Sequence, residues 1–312
     1  MDEVLDRSVP TFIQVSEVWV PEGDELVLST GDYGDLKDFA AASVATRFAK
    51  GAGLPGKAWA EARPVVLKGF EGSYFLRTEA ATAAGLTSAV AVPVFDGEKL
   101  KAVLVVLCGD DEVRTGAIEV WHEQNDLLML DDGWYGAAKH FEWVSKHTHF
   151  PRGQGLPGGV WASETPMLMR DLGSGYRFIR ADAAGKAGLT TGLGLPVPVP
   201  TGDTWVLTLL SARGTPIARR FEIWDARSAV VGSKKDAVLI DGICEREGPL
   251  WVDETGTPRR AQAWAGPIGR VLGSGLPVVE TGKAGLPADY ERMVALPIHR
   301  DGEIAHIVAW YC

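Results

Sequence analysis

Few residues of this chain are spaced for chemistry, and the ones that recur are arginines. Arg77 and Arg180 each stand two residues ahead of an acid, Glu79 and Asp182. On a solvated helix such residues make a local ion pair, whereas in a pocket the same guanidinium would contact a ligand, and both readings stay open. Gly51-Ala-Gly53-Leu-Pro-Gly56 and Gly153-Gln-Gly155-Leu-Pro-Gly158 spell GxGxxG, which cradles a pyrophosphate when it joins a strand to a helix. Here no strand-like run precedes either copy, the internal proline removes a backbone donor, and no acid follows about 20 positions on in both. Gly53, Gly56, Gly155 and Gly158 are therefore structural turn residues. His140, His147 and His149 cluster without a carboxylate or thiolate to complete a metal set. His306 stands where the other copies have Ala102 and Trp205, which reads as packing. Cys108, Cys244 and Cys312 form no CxxC pair, and no cysteine is followed by histidine. With no GxSxG, no HExxH and no recurrent serine, histidine and acid set, no catalytic residue, metal or cofactor is expected.

What must position the arginines is a repeat. Glu-(Val/Ile)-Trp ends at Trp19, Trp121 and Trp224, so the chain repeats every 102 or 103 residues. The glycine-proline phrase returns in decayed form as Gly266-Pro-Ile-Gly269, and Pro64, Pro166 and Pro277 each stand eleven residues after Gly53, Gly155 and Gly266. A second proline, Pro93, Pro196 or Pro297, comes fifteen residues before the end of an apolar run at Cys108, Ser211 or Cys312, where the third copy is expected to be complete. The expected units are 8–112, 113–215 and 216–312.

Within copy one, the β-branched run 12–20 predicts a strand, turned by Glu22-Gly23-Asp24 into a second strand around Leu26. A helix is predicted over 36–48 and another over 57–62, with Pro64 starting a short strand 65–67. Leu76, Ala80 and Ala84 share one face of a helix ended by Gly85, as Ile179, Ala183 and Ala187 do before Gly188. Strands 88–95 and 101–107 close the unit, and the uninterrupted run Ala102–Leu107 predicts a strand covered on both faces. The result is an antiparallel α+β layer, roughly ββαβαββ.

Composition narrows the partners. The 46% hydrophobic and 23% charged content is that of a soluble globular protein, and no run of 18 apolar residues could span a bilayer. A formal net charge of −10, with no basic cluster to offset it, repels phosphate backbones, so nucleic acid is an unexpected partner. The acidic start Met1-Asp-Glu-Val-Leu-Asp-Arg7 lacks the character of a signal peptide, and a cytoplasmic location is expected.

The phrase from Phe150 through Gly153-Gln-Gly-Leu-Pro-Gly158, Trp161 and Pro166, followed by Asp171-Leu172, Phe178-Ile-Arg180 and Gly188-Leu189, resembles the GAF family of small-molecule sensor domains. Copy one carries most of it between Phe48 and Pro93. Copy three is weaker, with Leu272 in place of the tryptophan and only 20 residues from Pro277 to Pro297. The resemblance implies an α+β fold of three tandem GAF-like (profilin-like) units, each an antiparallel sheet with helices packed on it, the third degenerate. It also implies ligand contacts at Trp59, Phe75 and Arg77 in copy one and at Trp161, Phe178 and Arg180 in copy two. Aromatics repeated at matched positions also fit simple core packing.

Two functions follow. One is a non-catalytic sensor that binds an unidentified small molecule in the first two units and acts on a protein partner. The other is a scaffold of degenerate repeats without ligand; an enzyme such as a free methionine sulfoxide reductase ranks third. Bulky side chains filling the space beside Trp59 and Trp161 would favour the scaffold. How the copies join is also open, because about a dozen residues separate Leu107 from Trp121: last strands either pair with the next copy's first strand, closing a ring, or stay within their own unit.

Overall fold

The computed structural model describes residues 10–109, 112–174, 178–227, 230–231, 234–245, 247–250, 257–282, 285–287 and 290–312. The acidic N-terminal segment, read above as unlike a signal peptide, lies outside these. The chain builds three antiparallel sheets in succession. The first unit comprises β1 (Ile13–Glu22), β2 (Glu25–Asp32), α1 (Lys37–Val44), β3 (Phe48–Ala49), α2 (Gly53–Glu61), β4 (Val65–Lys68), α3 (Thr78–Ala83), β5 (Leu86–Asp96) and β6 (Lys99–Gly109). The second repeats it with β7 (Thr115–Gln124), β8 (Leu127–Gly136), α4 (Lys139–Lys146), β9 (Phe150–Pro151), α5 (Gly155–Ser163), β10 (Met167–Arg170), α6 (Ala181–Lys186), β11 (Leu189–Pro196) and β12 (Trp205–Ala212). The third contains β13 (Arg220–Asp225), β14 (Val230–Val231), β15 (Lys234–Cys244), β16 (Gly248–Pro249), β17 (Arg260–Gln262), α7 (Gly266–Ser274), β18 (Val278–Thr281), β19 (Arg292–Arg300) and β20 (Glu303–Tyr311). Among the described residues it has one helix where the others have three, in line with the shortened stretch before Pro297. No helix among the described residues is long and apolar enough to cross a membrane.

Strand order is β3-β2-β1-β6-β5-β4 in the first sheet and the same in the second, read as β9-β8-β7-β12-β11-β10. In the third, β15-β13-β20-β19-β18 repeats the centre. First and last strands therefore pair within their own unit, β1 with β6, β7 with β12 and β13 with β20, and the strand-sharing ring is overturned. The units still close on one another, by faces rather than by edges. Alternation along each strand sends one row of side chains to the unit's helices and the other to a common core. Val103, Val105 and Leu107 of β6 pack under the helices, while Leu104 and Val106 face the common core together with Leu193, Leu195 and Leu207 of unit two and Leu296, Ile298 and Val308 of unit three. The continuous apolar run in β6 is thus covered on both sides.

Around this core each unit lays its short strand against the second strand of the next. Lys68 at the end of β4 reaches Asp132 on β8 at 2.5 Å, and Arg170 at the end of β10 reaches Asp241 on β15 at 2.6 Å. The matching third position is uncharged, since β18 ends in Thr281 and Thr30 of β2 donates to the Val279 carbonyl at 3.3 Å; the ion pair across this junction comes from the neighbouring strand, Arg292 of β19 lying 3.6 Å from Asp32 of β2. Equivalence follows from register, since Thr30, Asp132 and Asp241 sit opposite Val18, Val120 and Ile223. The three units form a pseudo-threefold ring.

Local differences from the sequence expectation have local causes. The first helix stops at Val44, which is exposed, and Phe48 belongs to the two-residue strand β3. The next helix begins at Gly53 rather than at Lys57, because the proline sits in its first turn where no intrahelical donor is needed. Leu76 and Ile179 precede their helices and lie exposed over the turn glycines Gly53 and Gly155, so they do not share a buried face with the alanines.

Candidate functional site

The repeated tripeptide explains itself once β1 is seen edge on. Residues i and i+2 of a strand share a face, so Glu17 and Trp19 both point under the helices while Val18 points into the common core. The Trp19 indole donates to the Glu17 carboxylate at 3.0 Å, Trp121 to Glu119 at 3.2 Å and Trp224 to Glu222 at 2.9 Å. A buried carboxylate needs a cation and further donors. Arg77, just ahead of α3, gives a bidentate pair to Glu17, its Nη2 at 2.9 Å and its Nη1 closer still. Ser43 of α1 donates at 2.8 Å and Tyr33 at 3.0 Å. Unit two repeats the set with Arg180 Nη2 at 2.9 Å, Tyr135 at 3.1 Å and Thr208 at 2.8 Å around Glu119, with Ser145 against the guanidinium.

Arg77 and Arg180 are only 4% and 3% exposed. Neither lies on a solvated helix face, and neither pairs with the acid two residues on; Asp182 instead takes Lys186 at 2.8 Å. Trp19, Phe39, Phe48 and Phe75 surround the Arg77 guanidinium at 4.7–5.7 Å from their ring centroids. Trp121, Phe141, Phe150 and Phe178 do the same for Arg180 at 4.6–5.4 Å, a geometry that favours a desolvated cation. Burial pushes the Glu119 carboxyl up, but Arg180 and the hydroxyl donors outweigh it and the net shift is downward, which keeps the group ionised. Burial and the neighbouring carboxylate push the Tyr135 phenol well above its ordinary value, so it remains a donor.

The structure thus brings together Phe75 with Arg77 and Phe178 with Arg180, each pair inside its own unit. Trp59 and Trp161 lie elsewhere, half-buried behind the glycine turn with Lys50 and Arg152 over their rings at 5.7 and 5.8 Å. The turn itself is internally bonded, Gly51 N–H to the Gly56 carbonyl and Gly153 N–H to that of Gly158, both at 2.7 Å. Gly53 and Gly155 have φ of +61° and +62°, whereas Gly56 and Gly158 are required by contact: a Cβ there would sit 2.2 Å from the Ala49 oxygen and 2.3 Å from that of Pro151. His147 bonds the Trp143 carbonyl through Nδ1 at 2.7 Å, and His140 lies alongside the same tryptophan.

The family model described as "GAF domain" matches residues 1–123, which run through the first unit and into β7. The N-terminal unit is a GAF domain. Units two and three lie largely or wholly beyond that match and are GAF-like by strand order and helix placement. Solved structures similar to the chain include a GAF domain from A. aeolicus in an inactive state, 22% identical over 31% of this chain and 58% of that one, with a TM-score of 0.26. A free methionine-R-sulfoxide reductase from Neisseria meningitidis in complex with its substrate is 22% identical over 31% of this chain and 52% of its own, with a TM-score of 0.24. The NreA protein from Staphylococcus aureus, mutated in its nitrate-binding site, is 20% identical over 34% and 81%, with a TM-score of 0.27. The chain spans little more than half the length of the first two. The comparison with curated proteins gives no match.

The residues that sequence reasoning missed are acceptors and hydroxyls: Glu17, Tyr33 and Ser43 in the GAF domain, and Glu119, Tyr135, Ser145 and Thr208 in unit two. The signal was present in the tripeptide, whose glutamate recurs as faithfully as its tryptophan. Unit three keeps the glutamate but draws its cation from β13 itself, Arg220 Nη2 lying 2.6 Å from Glu222, with Tyr311 donating at 2.7 Å.

Proposed function

We propose that the chain is a non-catalytic regulatory protein that acts through a protein partner, with the interiors of its first two GAF-like units closed rather than open to a small molecule. The observation that carries this reading is the filling of the space between sheet and helices by the Arg77–Glu17 and Arg180–Glu119 clamps with four aromatic rings around each guanidinium. A ligand there would have to displace a buried, bidentate ion pair. Exposed apolar side chains beside the helices, Val44 and Leu76 in unit one and Trp143 and Ile179 in unit two, are consistent with a surface that meets protein.

The thiols support a non-catalytic role. Cys108 and Cys244 are buried, and the Cys312 thiol donates to the Ile217 carbonyl at 3.1 Å while burial pushes its pKa up to about 11. Native mass spectrometry of the chain purified from its own host tests the reading: the chain alone, or the chain with a protein subunit, is expected. A small-molecule adduct whose removal changes hydrogen exchange at 39–48 and 75–83, or at 141–150 and 178–186, would sink it.

A further inference from the structure

Three connections of one kind meet at one end of the pseudo-threefold axis, each joining the last two strands of its unit: residues 97–98 between β5 and β6, 197–204 between β11 and β12, and 301–302 between β19 and β20. A groove of about 630 Å³ opens among them. Its volume lies within the range of binding clefts, roughly 300–1,000 Å³. The connection of unit two is the long one because Pro196, Pro198 and Pro200 lack the donors a strand ladder needs, and pairing with β12 stops at the Val197 N–H bond to the Trp205 carbonyl at 2.9 Å. It stands instead as a wall. Pro198 and Pro200 are exposed on it, and Trp161, Pro196 and Val199 are half-buried, so the apolar surface is reachable from the mouth.

Charge decides what such a groove accepts. Four acids and two arginines line it, and Arg152 and Arg300 both turn to Glu164, Arg152 at 4.0 Å with its guanidinium over the Trp161 ring and Arg300 in closer contact. One acid from each connection is left over. Glu98, Asp203 and Asp301 are exposed and have no ion pair among the described residues, Asp203 accepting the Thr201 hydroxyl at 2.8 Å. Burial pushes the His299 pKa down, so that ring adds no positive charge at neutral pH. Uncompensated charge above a low-dielectric wall gives a focused negative field, which draws a cation and repels an anion.

We propose that this groove docks a protein partner through a segment in which an apolar side chain is flanked by lysine or arginine. The apolar side chain packs against Trp161, Pro198 and Val199, and the flanking cations meet Glu98, Asp203 and Asp301. Since the rim comes from all three units, the docked segment reads the assembled ring and not any one unit. The assignment rests on the chain's acting through a protein partner, and adds the place and the chemistry of that contact.

Acetyl-Lys-Leu-Phe-Arg-amide serves as the probe for the full chain, with acetyl-Glu-Leu-Phe-Glu-amide reversing its charge and acetyl-Lys-Gly-Gly-Arg-amide removing its apolar side chains. Calorimetry is expected to show sub-millimolar binding of the probe, with both comparators at least tenfold weaker. Glu98→Lys combined with Asp203→Lys, both in exposed connections and checked by thermal melting, is expected to weaken the probe at least tenfold, whereas Glu79→Lys on α3, outside the groove, leaves it unchanged. If the double variant fails to fold, the peptide comparison on the unmutated chain decides. No binding of the probe at millimolar concentration overturns the site. So does a comparator that binds equally well, unchanged affinity in the double variant, or a Glu79→Lys that weakens the probe as much as the double variant does. The reading beneath it fails separately: a small-molecule adduct in the unit interiors sinks that one without moving the peptide affinities, while a native partner that stays bound to the double variant removes the groove alone.

Discussion

Arg220 and Glu222 stand two residues apart on one strand and face each other at 2.6 Å, whereas the same carboxylate position in the other units is neutralised from a helix entry some sixty residues away. Val15 and Ala117 occupy the place of Arg220 in units one and two. Unit three, which among its described residues has no helix matching α3, carries the cation locally instead. The buried glutamate is therefore the constant of the repeat, and the route by which it is paired is the variable.

Breaking a buried pair by removing one partner leaves an uncompensated charge, at a cost of about 3–5 kcal/mol. Arg77→Met and Arg180→Met are each expected to lower stability on that scale. Adding Glu17→Gln to Arg77→Met removes the orphaned charge while keeping an acceptor for Trp19, so the double variant is expected to be more stable than Arg77→Met alone. Chemical denaturation of the three proteins checks this, and a double variant less stable than the single one contradicts the clamp.

Gly56→Ala, Gly158→Ala and Gly269→Ala should each destabilise by more than about 1 kcal/mol, because a Cβ at these positions would meet a backbone oxygen at 2.2, 2.3 and 2.1 Å. Gly23→Ala is the control: its φ of +64° strains alanine, but nothing among the described residues lies within 4 Å of the added Cβ. The glycine series should rank below it in melting temperature.

His306 is 2% exposed, and neither ring nitrogen finds a hydrogen-bond partner among the described residues. Burial, and then the nearby Arg227, push its pKa down from an ordinary 6.5 to about 4, with Asp225 opposing. Between those values the unfolded chain binds a proton that the folded His306 refuses, so stability falls as the pH drops from 6.5 towards 4 and is independent of this residue above 6.5. His299 is shifted the same way and adds to the slope. His306→Leu is expected to be at least as stable at pH 7 and to flatten the loss between pH 6.5 and 4. Urea midpoints at pH 7 and 5 measure it, and an unchanged slope would count against the burial argument.

The Cys312 thiol, with its pKa raised to about 11 by burial, should react slowly with iodoacetamide at pH 8 and accelerate as the pH rises towards 11. Mass spectrometric rates against a free thiol of ordinary pKa provide the comparison. Equal rates at pH 8 would show that the group is not held in its protonated form.

A single shared core makes the three units interdependent. Leu207→Asp would place a charge among side chains from all three sheets and is expected to abolish one cooperative transition rather than one of three. Lys68→Ala, which removes a partly exposed pair between units, should cost about 1 kcal/mol or less. A calorimetric trace in which Leu207→Asp unfolds unit two alone would show the units to be independent.

What the sequence determined by itself is local and periodic. Alternation in the run Ala102–Leu107, the glycines of the turn, and the same-face spacing of Glu17 and Trp19 are all set within a few residues, where backbone geometry leaves little choice. The threefold register was legible for the same reason. Which residue pairs with Glu17 was not, because Arg77 lies sixty positions away and its adjacent Glu79 offered an equally plausible partner until the helix entry was seen to point inward. Nor could strand spacing decide how the units join, since a short linker serves a shared edge or a separate sheet equally well. Only the tertiary structure decided that the second face of every sheet is apolar towards the same axis, and that packing three such faces together leaves a cavity whose walls come from residues as distant as Phe95 and His299.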